Sequence, residues 1–280
     1  MRGRKFPVGI SLVLLLYGLF AATPLLYMVS TAFKPMEEMF LYPPRFWVRR
    51  PTLGNFGDMF QAMSSTIVPA TRYLFNSVVV TGLSVLGILV VQSMAAFPLA
   101  RNRFRGRGLV MFLTTAAFMF APHVTTIPRF LVVNGLHLTD TYLSLIVPTL
   151  AQPFMVFLLV NFMAQVPESL LEAARIDGAG GWFIYRRILI PLVKPALFTV
   201  LILTFVAVWN DTFTPLIYLR REVMKTFPVA LSTIGGGAGT VARTGAVGAS
   251  ALITSLPTII IFVLVQRSVM QTMAFSGIKE

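Results

Sequence analysis

Apolar residues in this chain neither alternate nor recur on one helical face; they come in long runs. A membrane-crossing helix needs about 20 mostly apolar residues at a rise of about 1.5 Å each. Such runs cover Val8 to Val29, Phe75 to Ala96, Leu109 to Val133, Tyr142 to Phe162, Ala196 to Leu219 and Ala246 to Val265, which predicts six transmembrane helices. Pro122, Pro148, Pro153, Pro215 and Pro257 fall inside them; packed membrane helices tolerate proline where neighbours satisfy the freed carbonyls. The first run follows Arg2, Arg4 and Lys5. It is too long for a signal-peptide core and no small-x-small cleavage site ends it, so it reads as an uncleaved anchor. The segment from Ser30 to Arg72 starts extended, with Pro35, Pro43, Pro44 and Pro51, and its stretch Asn55 to Met63 suits an amphipathic helix on the membrane surface. The chain thus divides into residues 1–72, an anchor with an external loop, and residues 73–280, the core.

Composition supports an all-α, polytopic membrane fold. The 280 residues are 56% hydrophobic and 12% charged, and a soluble domain carries roughly twice that charge. Net charge is +13. In a soluble protein this would suggest nucleic acid, but here the basic residues lie between apolar runs, where they orient spans and meet lipid headgroups. Membrane lipid is therefore expected as a partner and nucleic acid is not. Six spans put both termini on one side; the cytoplasmic side places Arg101, Arg103, Arg105 and Arg107 in a short inner loop, with Arg175, Arg186, Arg187 and Lys194 in another. With no cysteine there is no disulfide, thiolate zinc site or thiol nucleophile. No G-x-S-x-G occurs, and the only histidines, His123 and His137, do not form a metal-ligand pattern. Neither catalysis nor a cofactor or metal bound by this chain is expected.

The segment Val166 to Pro195, VPESLLEAARIDGAGGWFIYRRILIPLVKP, belongs to no span. Pro167 opens a helix, and Glu168 suits the positive end of its dipole. Leu170, Leu171, Ala174 and Ile176 form an apolar stripe at helical spacing. Asp177-Gly178 ends this helix, with Gly178 in the left-handed closing conformation and Asp177 placed to cap the next one. A second amphipathic piece, Trp182 to Leu189, leads through Pro191 and Pro195 into the fifth span. Such an elbow either rests on headgroups or docks onto a cytoplasmic partner, with Ala173, Ala174, Gly178 and Ala179 permitting close approach.

Elsewhere, Trp209, Asn210 and Asp211 in the fifth span are either an interfacial cap or a solute-facing patch, since an ionisable group at membrane depth faces a cavity or a partner. His123 reads as a structural residue or as part of the same path, and Gln92 and Gln152 read as interhelical hydrogen-bond formers. Gly235, Gly236, Gly237 and Gly239 form an external glycine-rich loop; no GK[ST] follows it, so it cradles no phosphate.

EAARIDGA followed by ILIPLVKPAL resembles the cytoplasmic loop of ABC-importer permeases. FNSVVVT, AAFPLARNRFRGR, GLHLTDTYLSLIVP, WNDTFTPLIYL, FPVALS and LITSLPTIIIFVLVQRS, in that order, resemble the carbohydrate branch and its maltose-type second permease subunit. The resemblance implies a heteromeric importer in a bacterial or archaeal inner membrane. Its expected partners are a second permease subunit, two ATP-binding subunits that carry ATP and magnesium, and an external binding protein that delivers a sugar. Glu172 would pair with a basic ATPase residue, and Ala173, Ala174, Asp177, Gly178 and Ala179 would shape the joint. The glycine-rich loop would reach into the binding protein. The tail departs from the family's usual ending, with Gly277-Ile278-Lys279-Glu280 in its place. The rival is an ion-coupled carrier, which ordinarily shows repeated halves and several buried carboxylates; only Asp211 approaches that here.

Overall fold

The computed structural model describes residues 8–43, 45–64, 68–121, 123–234 and 243–276, and every regular element among them is helical. In chain order these are α1 (Val8–Phe33), the single turn α2 (Met36–Met39), α3 (Gly54–Ser64), α4 (Ala70–Arg101), α5 (Arg107–Met119), α6 (Thr126–Gly135), α7 (Leu143–Leu150), α8 (Pro153–Ala164) and α9 (Glu168–Ile176). There follow α10 (Gly181–Leu192), which contains a π-helical stretch at Ile184–Leu189, and α11 (Lys194–Trp209). The last are α12 (Phe213–Tyr218), a 3-10 turn (Glu222–Met224), α13 (Phe227–Ile234) and α14 (Thr244–Ser276).

The helices α1, α4 and α14 are each long and apolar enough to cross a membrane; the bent pairs α7–α8 and α10–α11, at 42° and 75°, bring the number to five. The third run departs from the expectation of one unbroken helix. Leu109 to Val133 is not one helix: α5 stops at Met119 and α6 begins at Thr126. Pro122 between them lacks the N–H that an unbroken helix would need, and Pro128 sits in the first turn of α6, where that loss is free. The fifth run is likewise divided, since α11 ends at Trp209 and α12 starts at Phe213.

Backbone contacts divide the chain into two compact units, Met1–Ala70 with Ala230–Leu256 and Thr71–Val229 with Pro257–Glu280. In the first unit, Asn55 of α3 donates to the carbonyls of Ala32 and Lys34, at 2.9 and 2.8 Å, and so satisfies orphan acceptors at the end of α1. The Asn55–Met63 stretch is indeed a helix, with Met59 and Met63 buried.

In the second unit, one hydrophobic core joins α4, α8, α10 and α11 through Ile88, Leu99, Leu159, Met163, Leu189 and Val200. At the other end of α4, buried polar residues tie loops together. Asn76, fully buried, donates to Val223 and Lys225 carbonyls at 2.8 Å each and accepts from Tyr142 Oη at 2.6 Å. Ser77 Oγ accepts the Phe227 N–H at 2.8 Å. This is the physical content of the FNS sequence: a short stretch whose side chains bond the Val223 and Lys225 carbonyls and the Phe227 N–H of a returning loop. Asp140, at a positive φ of 59°, completes the clasp. Its Oδ1 accepts the N–H groups of Arg221 (3.0 Å) and Arg220 (2.6 Å), and those bonds hold its carboxyl below the ordinary aspartate range.

The sign of that shift fixes a pH dependence. A depressed folded-state pKa stabilises above the unfolded pKa and loses that contribution as pH falls through the folded value. Amide exchange at Arg220 and Arg221, corrected for intrinsic rates, should stay protected at neutral pH and lose protection well below pH ~4, and Asp140→Asn should abolish the transition. Asn76→Ala, which strands two carbonyls and a hydroxyl, should cost about 2–4 kcal/mol, read as reduced resistance to denaturant.

Candidate functional site

The elbow forms as its residues dictate. Pro167 precedes the first turn of α9 in extended geometry, with Glu168 in that turn and Arg175 in the last one, both signs suited to the dipole. The helix closes at Asp177 and Gly178. Gly178 N–H bonds the Arg175 carbonyl at 3.0 Å and Ala179 N–H bonds the Ala174 carbonyl at 2.9 Å, the paired closure that requires a left-handed residue. Gly178 supplies it with φ 84°. Asp177 serves this C-terminus only; α10 starts behind Gly180 instead.

Only one residue of the expected apolar stripe is buried. Leu171, fully covered, enters the core shared by α4, α8, α10 and α11, and burying a leucine side chain contributes about 1.5–3 kcal/mol. Ala174 is half-buried, while Ile176 is 86% exposed and Leu170, Trp182 and Phe183 are also exposed. Glu172, Ala173, Asp177 and Gly178 face outward beside them. Ala174, Asp177, Gly178, Ala179, Phe183 and Ile188 line a depression of about 500 Å³. The coupling candidates Glu172, Ala173, Ala174, Asp177, Gly178 and Ala179 therefore gather on one knob.

What holds the knob is a residue that the sequence left among the inner-loop charges. Arg101, at the end of α4, has a side chain only 6% exposed. It bonds Glu168 Oε2 at 2.9 Å and the carbonyls of Met163 and Val166. Glu168 Oε1 in turn bonds Arg175 at 3.1 Å. One guanidinium thus ties the end of α8 and the first turn of α9 to α4, and no local pattern separates Arg101 from Arg103, Arg105 and Arg107. Below it, Tyr185 in the π-helical stretch shares a 2.8 Å hydrogen bond with Ser93 of α4 and packs against Phe97 at 5.5 Å.

The pathway candidates lie elsewhere in the same unit. Trp209 is 4% exposed and stacked on Phe205 at 5.8 Å. Asn210 bonds the Val206 carbonyl at 2.9 Å and Thr258 Oγ1 at 3.4 Å. Asp211 Oδ1 accepts N–H groups of Phe213 and Thr214, at 2.9 and 3.0 Å, the capping geometry of an aspartate at a helix start. His123 is exposed, edge-on to Phe213 at 6.3 Å. Arg129 and Thr214 line both the hollow beside His123 and the one beside Asp211, so the structure brings these two candidates to adjoining hollows. Trp209 lines neither. Gly235, Gly236, Gly237 and Gly239 lie outside the described residues, as does the tail from Gly277. Among the described residues no cluster of potential metal ligands occurs.

Comparison with known proteins agrees with this architecture. Residues 84–274 match the family described as "Binding-protein-dependent transport system inner membrane component". A putative ABC transporter permease protein of Caldicellulosiruptor sp. is 32% identical over 268 residues, 95% of this chain and 94% of that one. The arabinooligosaccharides transport system permease AraQ of Bacillus subtilis is 32% identical over 208 residues, 74% of this chain and 73% of that one. A crystallised chain of a bacterial ABC transporter involved in alginate import shares the fold, with a TM-score of 0.79 and 24% identity over 95% of this chain and 98% of its own. The chain belongs to the multi-pass inner membrane components of binding-protein-dependent transport systems.

Proposed function

We propose that this chain is one of two permease subunits of an ATP-driven importer for a sugar or sugar-like solute delivered by an external binding protein. In this reading both termini and the α9 knob face the cytoplasm. Two ATP-binding subunits, holding ATP and magnesium, grip the knob. The single observation that carries the reading is a short helix with a buried heel and an exposed toe, fixed to the ends of two apolar helices. A carrier driven by ions alone leaves such a knob without a purpose.

The mechanism follows from where force enters and where it goes. Closure of the ATP-binding subunits displaces the exposed surface of Glu172, Ala173, Ile176 and Asp177. Because Leu171 sits in the core and Arg101 grips three acceptors, the knob does not slide; α4 and α8 move with it. Packed interiors transmit such displacements instead of absorbing them. The bends at α7–α8 and α10–α11 are where the second unit can change shape. Carbohydrate as cargo is supported by the kind of relative matched, an arabinooligosaccharide permease, and by the residues resembling the carbohydrate branch. The glycine-rich loop is the part proposed to meet the binding protein.

Glu172→Lys should abolish uptake and release the ATP-binding subunits in co-purification while leaving the chain in the membrane; normal uptake would contradict the docking role. Gly178→Pro, which removes a closing N–H and forbids positive φ, should do the same. Arg101→Ala should act differently. Losing hydrogen bonds to a charged group costs about 1.5–3 kcal/mol, so the ATP-binding subunits should stay bound while solute moved per ATP hydrolysed falls about tenfold or more.

A further inference from the structure

Two interruptions of the apolar helices meet at one hollow of the second unit, which α6 also lines through Arg129 in its first turn. Ala151 and Gln152 leave helical geometry between α7 and α8, with φ/ψ of −92/78° and −110/91°. Asn210 to Thr212 separate α11 from α12. At membrane depth, non-helical backbone is tolerated where it lines a watered cavity or is buried in protein. Broken helices at such a cavity are how solute sites are built in membrane proteins. Here the cavity is about 130 Å³, and its polar lining is Arg129, Thr149, Gln152, Asp211, Thr214 and Thr226.

The chemistry of the lining says what would fit. Thr226 is 6% exposed, and its hydroxyl has no hydrogen-bond partner. Among the described residues, the Arg129 guanidinium is in none of the ion pairs, and no hydrogen bond engages it. Thr149 spends its hydroxyl on the carbonyls of Leu145 and Ile146. Asp211, the only carboxylate in the lining, already receives two backbone N–H groups on Oδ1. Arg129 is exposed and carries a guanidinium without a protein partner among the described residues, while Asp211 keeps its charge and spends Oδ1 on the start of α12. An arginine fork matches the two oxygens of a carboxylate.

We propose that this hollow touches the solute directly and that Arg129 selects a hydroxylated solute bearing an acid group, a uronate-type sugar. The proposal rests on the importer reading and names its cargo class. Arg129 meets the acid group, Thr226 and Gln152 meet hydroxyls, and Asp211 holds the start of α12 in place.

Because the chain has no cysteine, Thr226→Cys, with Gln152→Cys as a second site, gives it a single thiol, and labelling read on this chain's own band reports on the hollow. The assay uses the whole transporter in nanodiscs, nucleotide-free and vanadate-trapped. It measures labelling by an anionic (sulfonatoethyl) and a cationic (trimethylammonioethyl) methanethiosulfonate. Relative to a free thiol, the anionic reagent should react about tenfold faster than the cationic one. Arg129→Gln should remove that preference, and millimolar digalacturonate should slow labelling where lactose does not. A hollow sealed to both reagents at both sites and in both states would overturn direct contact. A charge preference that survives Arg129→Gln, or protection that is absent or equal for the two sugars, would overturn acid selection. Rates indifferent to nucleotide trapping, with the charge preference intact, would instead contradict the importer reading.

Discussion

The guanidinium of Arg101 is the constraint on which the rest of the proposed mechanism depends. It is nearly buried, and it binds one carboxylate and two carbonyls from a segment more than sixty positions away in sequence. A buried charge is costly unless paired and hydrogen-bonded, and here only the two Nη nitrogens are engaged while Nε has no partner, so the arrangement depends on the end of α8 and the start of α9 staying where they are. That makes the knob an extension of the helices and not a flexible loop. Leu171 from below and the Schellman closure at Gly178 from beyond hold the same short helix. The three together present a stiff, exposed, partly apolar surface at the junction of two spans.

The other end of the second unit is built on a different principle. Where the knob depends on one charge and one leucine, the clasp of Asn76, Ser77, Tyr142 and Asp140 is a network of hydrogen bonds to backbone groups. Such a network fixes geometry at that end and leaves the bends at α7–α8 and α10–α11 outside it. Rigid ends and interrupted middles are what an alternating pathway requires, since motion at the solute requires leverage at the knob.

Much of this was legible from sequence because lipid imposes a simple demand. Backbone polar groups need internal partners in hydrocarbon, so spans must be long and apolar, and α1, α4 and α14 stand where their runs predict. The elbow was legible too, because Asp177-Gly178 after an amphipathic turn leaves few alternatives. The breaks were not. A proline inside an apolar run is compatible with a kinked or a divided helix, and only packing decided that Leu109 to Val133 would divide. Arg101 was illegible for another reason: its partners are remote in sequence, so four arginines in alternation look alike. Thr226 and Arg129 share that difficulty, being unremarkable until helix ends meet around them. Trp209 shows the reverse, an aromatic suited by type to a sugar face whose ring is instead packed on Phe205.

The central claim is that the α9 knob faces the cytoplasm and is held there by an ATP-binding partner. The most direct measurement is the reactivity of a single cysteine at position 173, Ala173→Cys, toward a membrane-impermeant maleimide. The account predicts no labelling in intact cells, rapid labelling in inside-out vesicles stripped of the ATP-binding subunits, and protection when those subunits are restored. Labelling from outside intact cells, or equal reactivity with the subunits present and absent, would contradict it.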